Sequence, residues 1–399
     1  MENRMMRIQI SRTRWRAGGR LWALMILCFS LFLVPLVRSA VQAETYSSIV
    51  DLVNDAQKGN PDAQDQLGSC YEKGDRVNKD YIEAAKWYRK AADQGYAEAQ
   101  YHLGRCFYSG RGVSKSPSEA VKYFKAAADQ GHAGAYKLLG DCYYMGEGTD
   151  RDAAEAVRCY GEAAGQGDAE AQYMLAYCYN KGNGVAKDMD TAIEWYTKAA
   201  EQGDTRAHVD LGNICYANHD YSQAVTWYTE AAQQGVKEAQ YLLAHCYANQ
   251  KGVDLSREEA LMEAFTWYQK AARQGLPIAQ LRLADCYYNG RGTDADHSLA
   301  LEWYRKAASS ESTIKAEALY DIGNCFYYGK GTAKDYIEAV SWYKKAAQKE
   351  YAPAQFQLGL CYEQGKGVPG VDPEEARKWY TLAAEQGNKD AALRLEALS

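Results

Sequence analysis

The sequence predicts an all-α protein, a right-handed α/α superhelix of about nine antiparallel helix pairs. Three observations carry that expectation. The same words recur in order along residues 60–387. Within each word, apolar and small residues fall three and four apart, which places them on one helical face. Only 7 of the 399 residues are proline, so long helices go uninterrupted.

Residues 1–43 read as an address rather than as part of the fold. Arg4, Arg7, Arg12, Arg14, Arg16 and Arg20 precede an apolar run from Leu21 to Val37, and Val41 and Ala43 follow as small residues two apart. That order is expected of a secretory signal cut after Ala43. The run of 17 residues is also close to the length of an uncleaved inner-membrane anchor. In both cases the arginines stay in the cytoplasm, and residues 44–399 are exported to the periplasm or beyond the cell. Membrane contact is expected only through this segment, if it stays uncleaved. The segment holds seven arginines and one glutamate, so the remainder has 39 basic and 51 acidic residues, a net charge of −12. A chain of that sign has no basic stripe for a phosphate backbone, and no nucleic acid partner is expected.

Residues 44–59 read as a leading half unit or cap. Nine blocks follow, at 60–95, 96–131, 132–167, 168–203, 204–235, 236–275, 276–314, 315–350 and 351–387, and 388–399 reads as a closing helix. Each block carries an early word such as AQDQLGSCYEKG and a later one such as AAKWYRKAADQG. Ala63, Leu67, Cys70 and Tyr71 share one face of the first helix, and Ala84, Trp87, Tyr88 and Ala91 one face of the second. Gly74 and its equivalents end the first helix, where a left-handed residue is required, and Gly95 and its equivalents end the second. Gly68, Gly104 and Ala176 are small enough to let neighbouring helices approach. One helix pair cannot bury both of its apolar faces, whereas a stack of them can.

The pattern A-x-x-x-L-G-x-x-Y-x-x-G-x-G-V, followed by A-x-x-W-Y-x-x-A-A-x-Q-G, resembles the Sel-one-like repeat (SLR), a cousin of the tetratricopeptide repeat. The resemblance covers residues 60–387. The fifth block departs from it: LGNICYANHDYSQA lacks the GxG turn, the block has 32 residues, and it looks tetratricopeptide-like. The sixth block has 40 residues and carries the insertion DLSREEALMEA. A change of bend is expected between these two.

Several motifs invite chemistry, and each has a plainer reading. Cys70, Cys106, Cys142, Cys178, Cys246, Cys286, Cys325 and Cys361 occupy one slot in eight blocks, and Cys215 sits one position later in the fifth. Equivalent positions in stacked helices lie about 10 Å apart. A disulfide needs Cα atoms within about 7 Å, and zinc ligands must lie about 2.3 Å from one ion. The slot therefore reads as a small buried core residue. A cysteine-rich branch of the family has two cysteines per repeat; here only the third block has a second, Cys159, and a Cys142–Cys159 bridge is the weaker reading. The GxG turns follow helices rather than strands, and Gly323 to Gly329 encloses five residues where a P-loop has four. His102, His132, His208, His219, His245 and His297 are scattered without an H-E-x-x-H pair. Asp188 and Asp190 lack the Gly and distal Glu of a calcium loop. No metal, cofactor or catalytic site is expected, and the protein reads as non-enzymatic.

Trp87, Trp195, Trp227, Trp267, Trp303, Trp342 and Trp379 recur in phase and read as packing residues, so specificity belongs where blocks differ. The resemblance implies that first helices line a concave groove. Its slots read Gln66, Ser69 and Glu72; His102, Arg105 and Tyr108; Asp141 and Tyr144; Tyr173, Tyr177 and Asn180; Asp210 and Asn213; Tyr241 and His245; Arg282, Asp285 and Tyr288; Tyr320, Asn324 and Tyr327. Tyrosine offers contact area at modest entropy cost, and Asn can both donate to and accept from a peptide backbone. The expected role is a protein-binding scaffold or regulator of the bacterial cell envelope, with a protein or peptide held in the groove. A peptidoglycan or polysaccharide binder is the second reading, and a cell-wall or β-lactam hydrolase a distant third.

Overall fold

A computed structural model describes Tyr46 and residues 48–398. The expected signal or anchor at residues 1–43 lies outside the described residues. The chain forms two compact units, one ending at Ala99 and the other beginning at Gln100. The first holds α1 (Ile49–Gln57), α2 (Pro61–Lys73) and α3 (Tyr81–Ala92), and α4 (Ala97–Ser109) begins at its end. In the second follow α5 (Pro117–Ala128), α6 (Ala133–Met145), α7 (Ala153–Gly165), α8 (Ala169–Lys181), α9 (Met189–Glu201) and α10 (Thr205–Ala217). Then come α11 (Tyr221–Gln233), α12 (Lys237–Ala248), α13 (Arg257–Arg273), α14 (Pro277–Asn289) and α15 (His297–Ala308). The last are α16 (Lys315–Tyr328), α17 (Tyr336–Ala347), α18 (Ala352–Gln364), α19 (Pro373–Glu385) and α20 (Lys389–Ala397). Among the described residues there are no strands, and no helix is long and apolar enough to cross a membrane.

The helix ends follow from local chemistry. Asp80, Asp152, Asp188, Asp296, Asp335 and Asp372 stand at the N-caps of second helices and accept bonds from first-turn amides that would otherwise lack partners. That capping role accounts for Asp188. First helices end on Gly74, Gly146, Gly182, Gly290, Gly329 and Gly365, all left-handed, whose N–H returns to the cysteine carbonyl four residues back. The second glycine of each GxG turn has a different reason to be glycine. A Cβ on Gly148 would lie 2.3 Å from the carbonyl oxygen of Pro117, at the start of the preceding pair's second helix. The turn thus locks one repeat to the one before it.

Packing runs from helix to helix in chain order, α1 on α2 on α3 in the first unit and α5 through α20 in the second. This is the one-dimensional stacking of a solenoid. The apolar centre of each pair is the tyrosine of the Trp-Tyr word. Tyr88, Tyr160, Tyr196, Tyr228, Tyr343 and Tyr380 are fully buried, with Phe124 in the equivalent place. Each ring lies against the small residue of the first helix, so a Cβ on Gly323 would come within 2.5 Å of the Tyr343 ring. The tryptophans are only half-buried, and lysines one turn on cover Trp87, Trp195, Trp267 and Trp342 at 3.6–3.8 Å from the ring centroid. Glutamines join the repeats. Gln202 donates to the buried Gln172 at 2.8 Å, and Gln172 donates to the Ala164 carbonyl of the preceding second helix. The same relay runs through Gln274, Gln240 and Ala232. Every buried amide in these relays has a partner.

The ten described cysteines are free thiols, Cys142 and Cys159 included, and all but Cys215 are buried. Burial pushes the thiols of Cys142, Cys246, Cys286 and Cys325 up to about 12, so they hold almost no thiolate at neutral pH. Burial raises the half-buried Cys215 thiol as well, so iodoacetamide at about pH 8, below the usual thiol range, is expected to label Cys215 slowly but first in the folded protein, and the other described cysteines only after denaturation. Intact-mass analysis reads the count. Rapid labelling of several slot cysteines would contradict their burial.

Candidate functional site

The first-helix slots form a row along the second unit, in which neighbouring repeats touch through polar and aromatic side chains. The Tyr108 hydroxyl donates to Glu147 of the next repeat. Lys137 pairs with Asp141 at 3.1 Å and reaches across to Glu170. The guanidinium of Arg206 covers the Tyr173 ring at 4.2 Å. His245 meets Tyr241 of its own helix and Tyr216 of the preceding repeat. Arg282 bridges Asp285 at 2.9 Å and Glu317 at 3.0 Å. Lys330 covers Tyr288, Tyr320 meets Tyr351, and Lys366 donates to the Tyr327 hydroxyl at 3.3 Å. His102 lies beside Tyr101, which also faces Arg105; Tyr144 faces Arg151, and Tyr177 faces Lys181. Arg105 and Asn213 are exposed, and the other slot residues of the row are half-buried.

Several slot residues already serve the core. Asp141, Asn213, Asp285 and Asn324 accept hydrogen bonds of 2.8–2.9 Å from the hydroxyls of Tyr160, Tyr228, Tyr304 and Tyr343. Where that slot holds Ser69, Tyr177 or Leu360, the residue three positions on engages the tyrosine instead. Glu72 accepts from Tyr88, Asn180 donates to Tyr196, and Glu363 accepts from Tyr380. In the second repeat the ring is Phe124, there is no hydroxyl, and Arg105 holds the slot. These residues therefore present their remaining hydrogen-bonding capacity, rather than the whole side chain, to the row.

Sequence reasoning missed the residues that turns and neighbouring helices bring in: Glu147, Lys330 and Lys366 from the middle of GxG turns, and Glu317 and Asp321 from α16. The variable middle position of a constant turn was the signal available. Asp321 is poorly satisfied for a buried carboxylate. Among the described residues its one hydrogen bond comes from Asn324, at 3.4 Å. Burial first, then the Asp285 and Glu317 carboxylates, push its pKa well above the usual range. Such a group binds its proton more tightly when folded. Stability is therefore lost as pH rises from about 4, the unfolded value, through the raised native one. Asp321→Asn is expected to raise Tm by a few degrees at pH 7 and to change nothing near pH 4. Thermal melts at the two pH values test this, and a lower Tm at pH 7 would contradict it. Among the described residues, no three His, Cys, Asp or Glu side chains converge as a metal site.

Stacked helix pairs with an interlinked polar row on their first helices define an α/α repeat protein built to present a surface. The Sel1 repeat profile matches nine times, at residues 61–96, 97–132, 133–168, 169–204, 207–236, 237–276, 277–312, 316–351 and 352–388. The chain belongs to the Sel1 repeat family. It is similar to c5321, a protective antigen present in uropathogenic Escherichia coli strains that displays an SLR fold. The identity is 32%, over 88% of this chain and 82% of that one, with a TM-score of 0.58. It is similar also to a Sel1 repeat protein from Oxalobacter formigenes, at 33% identity over 79% of this chain and 90% of that one, with a TM-score of 0.60. Proteins of this family are generally protein–protein interaction scaffolds and typically non-catalytic.

Proposed function

We propose that this protein is a scaffold or regulator of the bacterial cell envelope that holds an extended segment of a partner protein along its first-helix row. The observation that carries the reading is the row itself: tyrosines, amides and both signs of charge, half-buried and linked from repeat to repeat. Half-buried tyrosines are held rigid before a partner arrives, which lowers the entropy cost of binding. The arginine-rich start followed by an apolar run supports export. A relative described as a protective antigen fits the same side of the membrane. The test is in-cell crosslinking of the full chain followed by capture from envelope fractions, with sedimentation on purified peptidoglycan alongside. Crosslinks that map to the row support the reading. Sedimentation with peptidoglycan and no protein crosslink would replace it with a glycan-binding one.

A further inference from the structure

We propose that the junction between the fourth and fifth repeats is a hinge, tied along the row and free on the turn side. At every other junction of the second unit, at least one of two devices fixes a repeat against the one before it. The first is a turn glycine. A Cβ on Gly148, Gly184, Gly252, Gly292, Gly331 or Gly367 would stand 2.0–2.3 Å from a carbonyl oxygen near the start of the preceding pair's second helix, so backbone lies against backbone there. The second is a glutamine whose amide donates to a carbonyl near the end of that same helix. Gln172 reaches Ala164 at 3.2 Å, Gln240 reaches Ala232 at 3.1 Å, Gln280 reaches Ala272 at 3.3 Å and Gln355 reaches Ala347 at 3.4 Å. The third and eighth repeats hold Tyr136 and Leu319 in the glutamine's place but keep the glycine, as Gly148 and Gly331.

The fifth repeat has neither device. Asn218, His219 and Asp220 alone join α10 to α11, with no glycine among them. The glutamine's place is taken by His208, whose Nδ1 pairs with the carbonyl of Asp204, its own helix's cap, at 2.9 Å, and whose ring meets Trp227 of its own repeat. Gln202, at the end of α9, turns back to Gln172 and the Gly167 carbonyl, away from the fifth repeat. What crosses the junction lies along the row or is apolar. The Arg206 guanidinium covers the Tyr173 ring, and Asp210 faces the hydroxyls of Tyr173 and Tyr196. Ala199 and Ala200 share one apolar cluster with Ala207 and Leu211. Apolar contact has no preferred direction, so these small side chains permit rotation that directional hydrogen bonds and abutting backbones resist elsewhere. The ties along the row then act as the pivot. Rotation changes the spacing of Tyr177 and Asn213, which hold the same slot on either side. The hinge itself does not depend on what the row binds.

Electron-spin distance measurements between paired nitroxide labels test the hinge on the full chain. The background is Cys28→Ser/Cys215→Ser, because the other cysteines are buried. One pair, Glu162→Cys with Glu263→Cys, runs from α7 to α13 and spans the junction. The control pair, Glu263→Cys with Glu385→Cys, runs from α13 to α19 across the same number of repeats, all of them locked. The three positions are exposed. The first distance distribution is expected to be at least about twice as wide as the control's. Replacing residues 217–219 by a copy of the 181–187 turn, together with His208→Gln, should narrow it to the control's width. His208→Gln alone keeps the chain length and should narrow it in part; it decides the matter if the grafted chain loses helicity. Equal widths for the two pairs in the parent would overturn the hinge. So would a wide first distribution that neither variant narrows, since its breadth would then arise outside this junction.

Discussion

Leu67→Asp is expected to unfold the first helix pair, α2 and α3. Leu67 is 1% exposed and packs in a cluster with Leu52, Ala56, Ala63 and Cys70. The side chains of that cluster are apolar and offer the new carboxylate no hydrogen bond in exchange for water, at a cost on the order of 3–5 kcal/mol. That is comparable with the whole stability of a small domain. Because a solenoid's repeats depend mainly on their neighbours, the loss should be local. Hydrogen exchange should speed up across residues 49–92 and stay slow in α16 to α19. A thermal melt and exchange pattern identical to the parent's would show that Leu67 is not a core residue.

The fold was legible because each structural need recurs at a fixed interval. A small residue must stand where a tyrosine ring lies, as at Gly323 against Tyr343, and a left-handed residue must end the first helix, as at Gly329. Repeated nine times, such requirements rise above any single helix's propensity. The roles inside the Trp-Tyr word were less legible. Both rings recur in phase, yet the tyrosine is sealed in the pair while the tryptophan stays half-buried under a lysine. Periodicity gives a residue's phase, and small differences of angle on one helix decide which of two adjacent rings goes in.

The row was legible in outline only. Asp141, Asn213, Asp285 and Asn324 were marked as groove residues because they vary among blocks. Their variation has a second cause, the need to satisfy a buried hydroxyl. Tyr160 and Asp141 are 19 residues apart and meet only when the pair closes. The acceptor also moves three residues along the helix in some repeats, to Glu72 or Glu363, which hides the correlation from column-by-column reading. The missing hydroxyl at Phe124, with Arg105 in the slot, was the clue. Contacts between repeats, such as Arg282 with Glu317, depend on helix spacing and had no counterpart in the sequence.

Replacing Tyr108, Tyr144 and Tyr177 together by Ala is expected to abolish partner capture while leaving helicity intact. All three rings are half-buried on the first helices of successive repeats, and none is the sealed core tyrosine of its pair. Their loss removes contact area and frees the groups they hold: Glu147 loses the Tyr108 hydroxyl, and Arg151 and Lys181 lose their aromatic faces. Aromatic anchors of this kind cost on the order of 1–2 kcal/mol each when truncated at an interface, so losing three should weaken binding by roughly a hundredfold to ten-thousandfold. The cost to folding should be far smaller, because the pair centres Phe124, Tyr160 and Tyr196 remain. Circular dichroism checks the fold, and crosslinked capture with quantitative mass spectrometry reads the partner. Capture undiminished in a variant of full helicity would move the binding surface off the first helices. A variant that captured nothing and had lost its helical signal would instead assign these tyrosines to packing, and the reading of the row as a binding surface would fall with them.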